Sequence, residues 1–219
     1  MQHLVRGLLH FQADVFPERR RQFEALQQGQ APDACLIACA DSRVDPSLLL
    51  SSQPGELFVI RNAGNLVPQF PTMQGGTAAS VEFATSVLGV RDMVVCGHSH
   101  CGAIEALLRP ERLEGLPALT RWIEFAAPVR ERLKSLPAST SDAERLDFAV
   151  RENTLVQISH LLTHPSVARG VESGRLRLHA WVYQFETGEV WACDRDSGEW
   201  LPLRAWAERD RVRHPRDQE

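Results

Sequence analysis

Ala34-Cys-Leu-Ile-Ala-Cys39 is a short apolar run that follows Pro32 and leads into Ala40-Asp-Ser-Arg43. With no polar residue alternating through it, the run reads as a strand buried on both faces. Glu56-Leu-Phe-Val-Ile-Arg61, entered through Pro54-Gly55, reads as a second strand, and Met93-Val-Val-Cys96 as a third. Between these two lies Gly76–Leu88, a helical stretch closed by Gly89. Short apolar strands separated by helices form parallel sheets. The expected fold is therefore α/β: a central, mainly parallel β-sheet flanked by helices, with an N-terminal helical arm.

Working outward, residues 103–172 read as helices punctuated by Pro110, Pro117, Pro128, Pro137 and Pro165, the longest being Asp142–Leu162. Leu176–Phe185 and Val190–Asp194 read as two strands joined by the turn Glu186-Thr-Gly-Glu189. Residues 1–29 form the arm, broken at Pro17, whose narrow apolar stripe packs either on its own core or on another subunit. No repeat or linker divides the chain. The expectation is one domain spanning 1–219, made of the arm (1–29), an α/β core (30–200) and a frayed surface tail (201–219).

Of the 219 residues, 43% are apolar and 24% charged, and 24 Lys+Arg against 28 Asp+Glu give a net charge of −4. That composition describes a folded globular protein. It argues against nucleic acid as a partner, because the basic stretch Pro17-Glu-Arg-Arg-Arg21 is diluted by Asp14, Glu18 and Glu24 and reads as a solvated helix face. No apolar run reaches the ~20 residues that cross a bilayer, and the N-terminus reads without an export signal, so no membrane association and a cytoplasmic location are expected. Five cysteines, an odd number in such a chain, point to free, metal-bound or reactive thiols.

In parallel sheets, function gathers beyond the carboxyl ends of the strands. There the chain places Cys39-Ala-Asp41-Ser-Arg43, Arg61-Asn-Ala-Gly64-Asn65 and Gly97-His-Ser-His-Cys-Gly102. Neither glycine-rich nucleotide fingerprint follows any strand. What remains is a zinc-ligand set: Cys39, His98 and Cys101, two sulfurs and an imidazole that leave one tetrahedral corner open. His100 reads as a rim histidine. Cys35, Cys96 and Cys193 read as buried hydrophobes, and His179 as a satisfied interior or interface residue. His3, His10, His160, His164 and His214 fall away from the cluster, with His164 at a helix C-terminus.

Cys39-Ala-Asp-Ser-Arg43, Pro54-Gly-Glu-Leu-Phe58, Arg61-Asn62 and Gly97-His-Ser-His-Cys-Gly102 together resemble the β-class carbonic anhydrases, from about Gln30 to Leu108 and again at Leu178–Tyr183. The resemblance implies one Zn2+ per chain on Cys39, His98 and Cys101, with Asp41 and Arg43 as the dyad beside it. It also implies a lyase that hydrates CO2 to bicarbonate and a proton through zinc-bound hydroxide, with a dimer as minimal unit. For the substrate pocket it implies Gln30, often supplied by the partner subunit, and Phe58 as an aromatic wall. Phe83 stands where plant relatives carry Tyr, and the N–H of Gly102, next to a metal ligand in this resemblance, is expected to be able to face a bicarbonate oxygen. Relatives with an inhibitory bicarbonate site have a Trp where this chain has Leu36, beside an Arg and a Tyr matched by Arg61 and Tyr183, so that pocket is expected to be absent.

Physically, two thiolates cancel the charge of Zn2+ and weaken it as a Lewis acid, so an alkaline-shifted activity is expected. Asp41 can orient the attacking oxygen, while Arg43, a permanently charged fork, keeps that carboxylate ionised and off the metal. Two rival readings are hydrolysis of CS2 or COS on the same scaffold and a non-catalytic bicarbonate sensor, the latter disfavoured by the intact dyad.

Overall fold

The structure is a computed structural model that describes residues 1–72 and 75–213. Six strands form one sheet: β1 (Ala34–Cys39), β2 (Leu57–Asn62), β3 (Asp92–His98), β4 (Arg177–Gln184), β5 (Glu189–Cys193) and β6 (Trp200–Pro202). Their order is β2-β1-β3-β4-β5-β6. The first four run parallel, and the last two add antiparallel at one edge. The sheet is thus mainly parallel, as the apolar runs predict.

Helices flank it. The arm contains α1 (Gln2–His10) and α2 (Phe16–Leu26), and α3 (Pro46–Leu50) follows β1. Next come α4 (Gly76–Glu82), α5 (Gly102–Leu108), α6 (Pro117–Ile123), α7 (Pro128–Leu133), α8 (Asp142–Leu161) and α9 (Pro165–Glu172). The last described helix is α10 (Leu203–Arg213). Alternating strand residues face opposite sides: Ile37 joins Met93, Val95, Leu161 and Leu178 in one cluster, Leu36 joins Val94 and Cys96 in another. A third cluster, built on Leu107, Val129 and Val150 of α5, α7 and α8, includes Cys39 and Cys101.

Helix α8 is the main buttress. A capping box starts it: the Ser141 hydroxyl accepts from the Glu144 N–H, and the Glu144 carboxylate accepts from the Ser141 N–H. It crosses β3 so closely that a Cβ on Gly97 would lie 2.8 Å from Thr154 Oγ1 and 3.1 Å from Val150 Cγ1. Only glycine lets the end of β3 lie there.

Three expectations need correction. Pro17 does not break the arm, because residues Phe11–Val15 form a wider turn in which the Phe16 N–H reaches back to the Phe11 carbonyl, and Pro17 then falls in the first turn of α2, where a missing N–H costs little. The tail is not frayed over residues 201–213: Leu201 lies in β6, and Trp206 of α10 packs edge-on against His179, with ring centroids 5.5 Å apart. His214, Pro215 and Arg216 lie outside the described residues. His164 is not at a helix C-terminus. It immediately precedes α9, is buried, and its Nε2 bonds the Pro68 carbonyl at 2.9 Å.

Among the described residues, the arm's hydrogen bonds to the body come from α2. Arg19 donates to the Gln53 side chain at 2.8 Å, and Phe16 and Phe23 stack at 5.4 Å. In α1, Leu4, Leu8 and Leu9 stay more than half exposed, so the chain's own core does not cover this stripe. Among the described residues no helix is long and apolar enough to cross a membrane.

Candidate metal centre

Because β1 and β3 are parallel neighbours, the residues that end them meet at one sheet edge. Cys39 closes β1 and His98 closes β3, and the turn Ser99-His100 brings Cys101 back just before α5. His100 makes the reversal with φ of +51°, a left-handed conformation that non-glycine residues rarely take. All three side chains are buried, and their ligand atoms lie within 4.8 Å of one another.

The donor set fits zinc. The two sulfurs are 3.9 Å apart, against the ~3.8 Å that two tetrahedral Zn–S bonds of ~2.3 Å would span. His98 Nδ1 lies 2.8 Å from the Ser99 carbonyl oxygen, which can only accept, so Nδ1 carries the proton and Nε2 holds a lone pair. That Nε2 is buried and has no hydrogen-bond partner among the described residues. An orphaned imidazole nitrogen beside two sulfurs is a costly arrangement unless a cation occupies the centre. The thiols divide one proton unequally. Cys101 donates to Cys39 and holds it well below the ordinary thiol range against the opposing effect of burial, with the Gly64 N–H, 3.3 Å from the sulfur, assisting. Cys101, beside that thiolate and itself buried, is pushed up.

The loop after β2 supports Cys39. Gly64 sits at φ +77°, and a Cβ there would lie 3.2 Å from that of Ala103. Its carbonyl accepts from Asn153 of α8 at 3.1 Å, and that of Ala63 from the Trp122 indole at 2.8 Å. Arg61 donates to the Cys39 carbonyl at 3.0 Å and the Asp41 carbonyl at 2.8 Å, fixing the turn that follows β1.

At the mouth, Arg43 grips Asp41 with two parallel bonds, Nε to Oδ1 at 2.9 Å and Nη2 to Oδ2 at 2.8 Å. That pairing holds the Asp41 carboxyl far below the usual carboxylate range despite partial burial. Asp41 Oδ2 is 3.9 Å from His98 Nε2. His100 points outward, as expected of a rim residue, with Nε2 3.4 Å from Glu186. Gly102 opens α5, and a Cβ on it would meet nothing within 4 Å, leaving free space beside the ligands.

Gln30, Phe58 and Phe83 are not brought to this centre. Phe58 pairs with Cys35 in the register, four residues before the Cys39–Asn62 row, so it lies ~13 Å toward the opposite sheet edge. It contacts Phe83 at 5.9 Å between centroids, and Phe83 and Gln30 are exposed. Leu36, in place of the Trp of inhibited relatives, is buried in one apolar cluster with Tyr183. Phe185 and Glu186 are residues near the site that the sequence reading passed over as strand end and turn. The Phe185 ring lies beside His98 and His100, with centroids 6.3 and 5.6 Å away, and Glu186 accepts from the Ser99 hydroxyl at 2.5 Å.

Three buried donors at the carboxyl edge of a parallel sheet, with a carboxylate–guanidinium pair at the opening, define a candidate metal centre of the catalytic kind, which supplies fewer than four protein ligands. A family model described as carbonic anhydrase matches residues 34–190. A Pseudomonas aeruginosa protein named carbonic anhydrase is 49% identical over 203 residues, covering 93% of this chain and 92% of its own. Among solved structures, the β-carbonic anhydrase CcaA superposes with a TM-score of 0.89 at 39% identity, covering 92% of this chain and 91% of its own. One of two tetrameric β-carbonic anhydrases from Sordaria macrospora gives 0.77 at 27% identity, covering 87% and 95%. The chain belongs to the β-carbonic anhydrase family of enzymes.

Proposed function

We propose that the protein is a zinc-dependent carbonic anhydrase that interconverts CO2 and bicarbonate, with one Zn2+ per chain held by Cys39, His98 and Cys101. The observation that carries this reading is the buried, unpartnered Nε2 of His98 facing two sulfurs at zinc-ligand spacing, beside the Asp41–Arg43 pair. When bound, the ion supplies the Lewis acidity that makes water nucleophilic near neutral pH. The protein does the rest. Asp41 accepts a hydrogen bond from the nucleophile and aims it, Arg43 keeps that carboxylate ionised and turned from the metal, and the side-chain-free Gly102 leaves the approach beside the ligands unobstructed.

The pocket is completed in this reading by a second copy of the chain. Gln30, Phe58 and Phe83 lie at the sheet edge opposite their own triad, so they serve the other protomer's site in a homodimer or a dimer-based homo-oligomer. The Sordaria macrospora relatives described as tetrameric support an assembly of this kind. The enzyme works in the cytoplasm.

The test is stopped-flow CO2 hydration on protein of measured zinc content. Near-stoichiometric zinc, turnover rising toward alkaline pH, and loss of both metal and turnover in Cys101→Ala are expected. Metal-free protein, or zinc-loaded protein that leaves CO2 unhydrated, overturns the reading. Side-by-side turnover of CS2 and COS shows whether CO2 is the substrate the pocket prefers.

A further inference from the structure

The guanidinium of Arg43 is held through two of its nitrogens and one face. Its Nε and Nη2 hold Asp41, and Nη2 also donates to the His100 carbonyl at 3.1 Å. Its flat face lies over the ring of Phe185, with Cζ 4.4 Å from the ring centroid. Phe185 is itself tied to the ligand turn. Its N–H reaches the Ser99 hydroxyl at 3.3 Å, and the Ser99 carbonyl accepts from His98 Nδ1. The segment just past β4 thus contacts both a candidate metal ligand and the dyad.

Where Arg43 sits decides where Asp41 can go. Asp41 Oδ2 is 3.9 Å from His98 Nε2, inside the 4.8 Å that separates the ligand atoms from one another. A carboxylate that close is a competing ligand whenever its guanidinium partner moves away. We propose that Phe185 is a positioning residue: its ring face holds Arg43 in the geometry that keeps Asp41 off the fourth metal corner. The inference rests on the zinc reading above and deepens it. The Arg43 side chain is 47% exposed, so the contact acts at the modest end of cation–π strengths, which corresponds to about a two- to five-fold bias.

The experiment uses full-length protein loaded with cobalt(II), whose visible spectrum reports coordination, and thiocyanate as the probe of an open corner. Phe185→Leu, which keeps an apolar side chain but loses the ring face, is expected to weaken thiocyanate binding about two- to five-fold with cobalt content unchanged. Phe185→Tyr restores it, and Phe185→Trp matches or exceeds the native protein. In an Arg43→Gln background, Phe185→Leu has no further effect. Unchanged thiocyanate affinity in Phe185→Leu, or an additive loss in the double variant, overturns the proposal. Should Phe185→Leu fail to fold, the Trp and Tyr variants decide it, since both weakening binding is equally fatal. Metal-free protein separates the two readings: the Arg43 side-chain NMR signals should carry a ring-current shift that Phe185→Leu abolishes. A protein that shows this shift yet hydrates no CO2 refutes the enzyme reading alone, whereas an active enzyme without the shift refutes only the role of Phe185.

Discussion

At the scale of single residues, the site depends on donors and acceptors that each have one available role. His98 can face a metal through Nε2 because the Ser99 carbonyl accepts a hydrogen bond from Nδ1–H and so fixes the tautomer. Arg43 matches both oxygens of Asp41 because its fork is planar. Lysine, a point charge, cannot span that pair, so Arg43→Lys should retain zinc while turnover falls about 10- to 100-fold, read as kinetics against metal content. Since Cys101 must give up a proton held firmly by the neighbouring Cys39 thiolate and by burial, metal binding releases that proton. Zinc affinity should therefore fall as pH falls, with a shallower slope in Cys101→Ser, as measured by competition against a chelator. Gly102 offers a third probe. Alanine fits its surroundings, so Gly102→Ala should leave stability within about 0.5 kcal/mol of native while its methyl group crowds the space beside the ligands and slows CO2 hydration.

Elements impose a different logic, in which strand ends matter more than individual groups. The clustering of Cys39, His98 and Cys101 was legible because Cys39 and the His-Ser-His-Cys turn follow apolar runs that read as parallel strands, and such strands deliver their ends to one edge. The placement of Phe185 beside the cluster was not legible. It depends on β4 lying beside β3 after a separation of some 80 residues, a pairing no local pattern encodes. The tail was misread for a related reason: α10 is rich in charge, and its hold on the sheet comes from Trp206 against His179 and Trp181, a contact invisible in sequence. At the far end of β3, Asp92 accepts from Arg177 and His179 at 2.8 and 2.7 Å. Burial opposes its ionisation, yet these two partners bring its pKa down to about 2. A carboxylate held below its unfolded value adds stability that is complete above about pH 4 and is lost as pH falls toward 2. Asp92→Asn should cost about 2 kcal/mol at neutral pH and flatten the acid limb of the stability curve, measured by denaturant titration across pH.

For the whole molecule, the unmet feature is surface. The α1 stripe of Leu4, Leu8 and Leu9 faces solvent, and among the described residues the hydrogen bonds that tie the arm to the body come from α2. The sequence left open whether this stripe packs on its own core or on another subunit, and the first of these is not what the fold does. If the stripe packs on the second copy proposed above, placing Glu at Leu4 and Leu8 should raise the protomer dissociation constant at least about ten-fold, given ~2 kcal/mol for each buried leucine, without unfolding the monomer; sedimentation velocity reads both.

The distance between the metal-binding edge and the Phe58–Phe83 edge has a genetic consequence. If a site draws its sulfurs from one chain and its aromatic wall from the other, lesions at the two edges belong to different complementation groups. A hybrid of a Cys101→Ala chain and a Phe58→Ala chain concentrates both defects in one cleft and spares the other. Random mixing of equal amounts should then restore about a quarter of the native sites, although neither homodimer has an intact one.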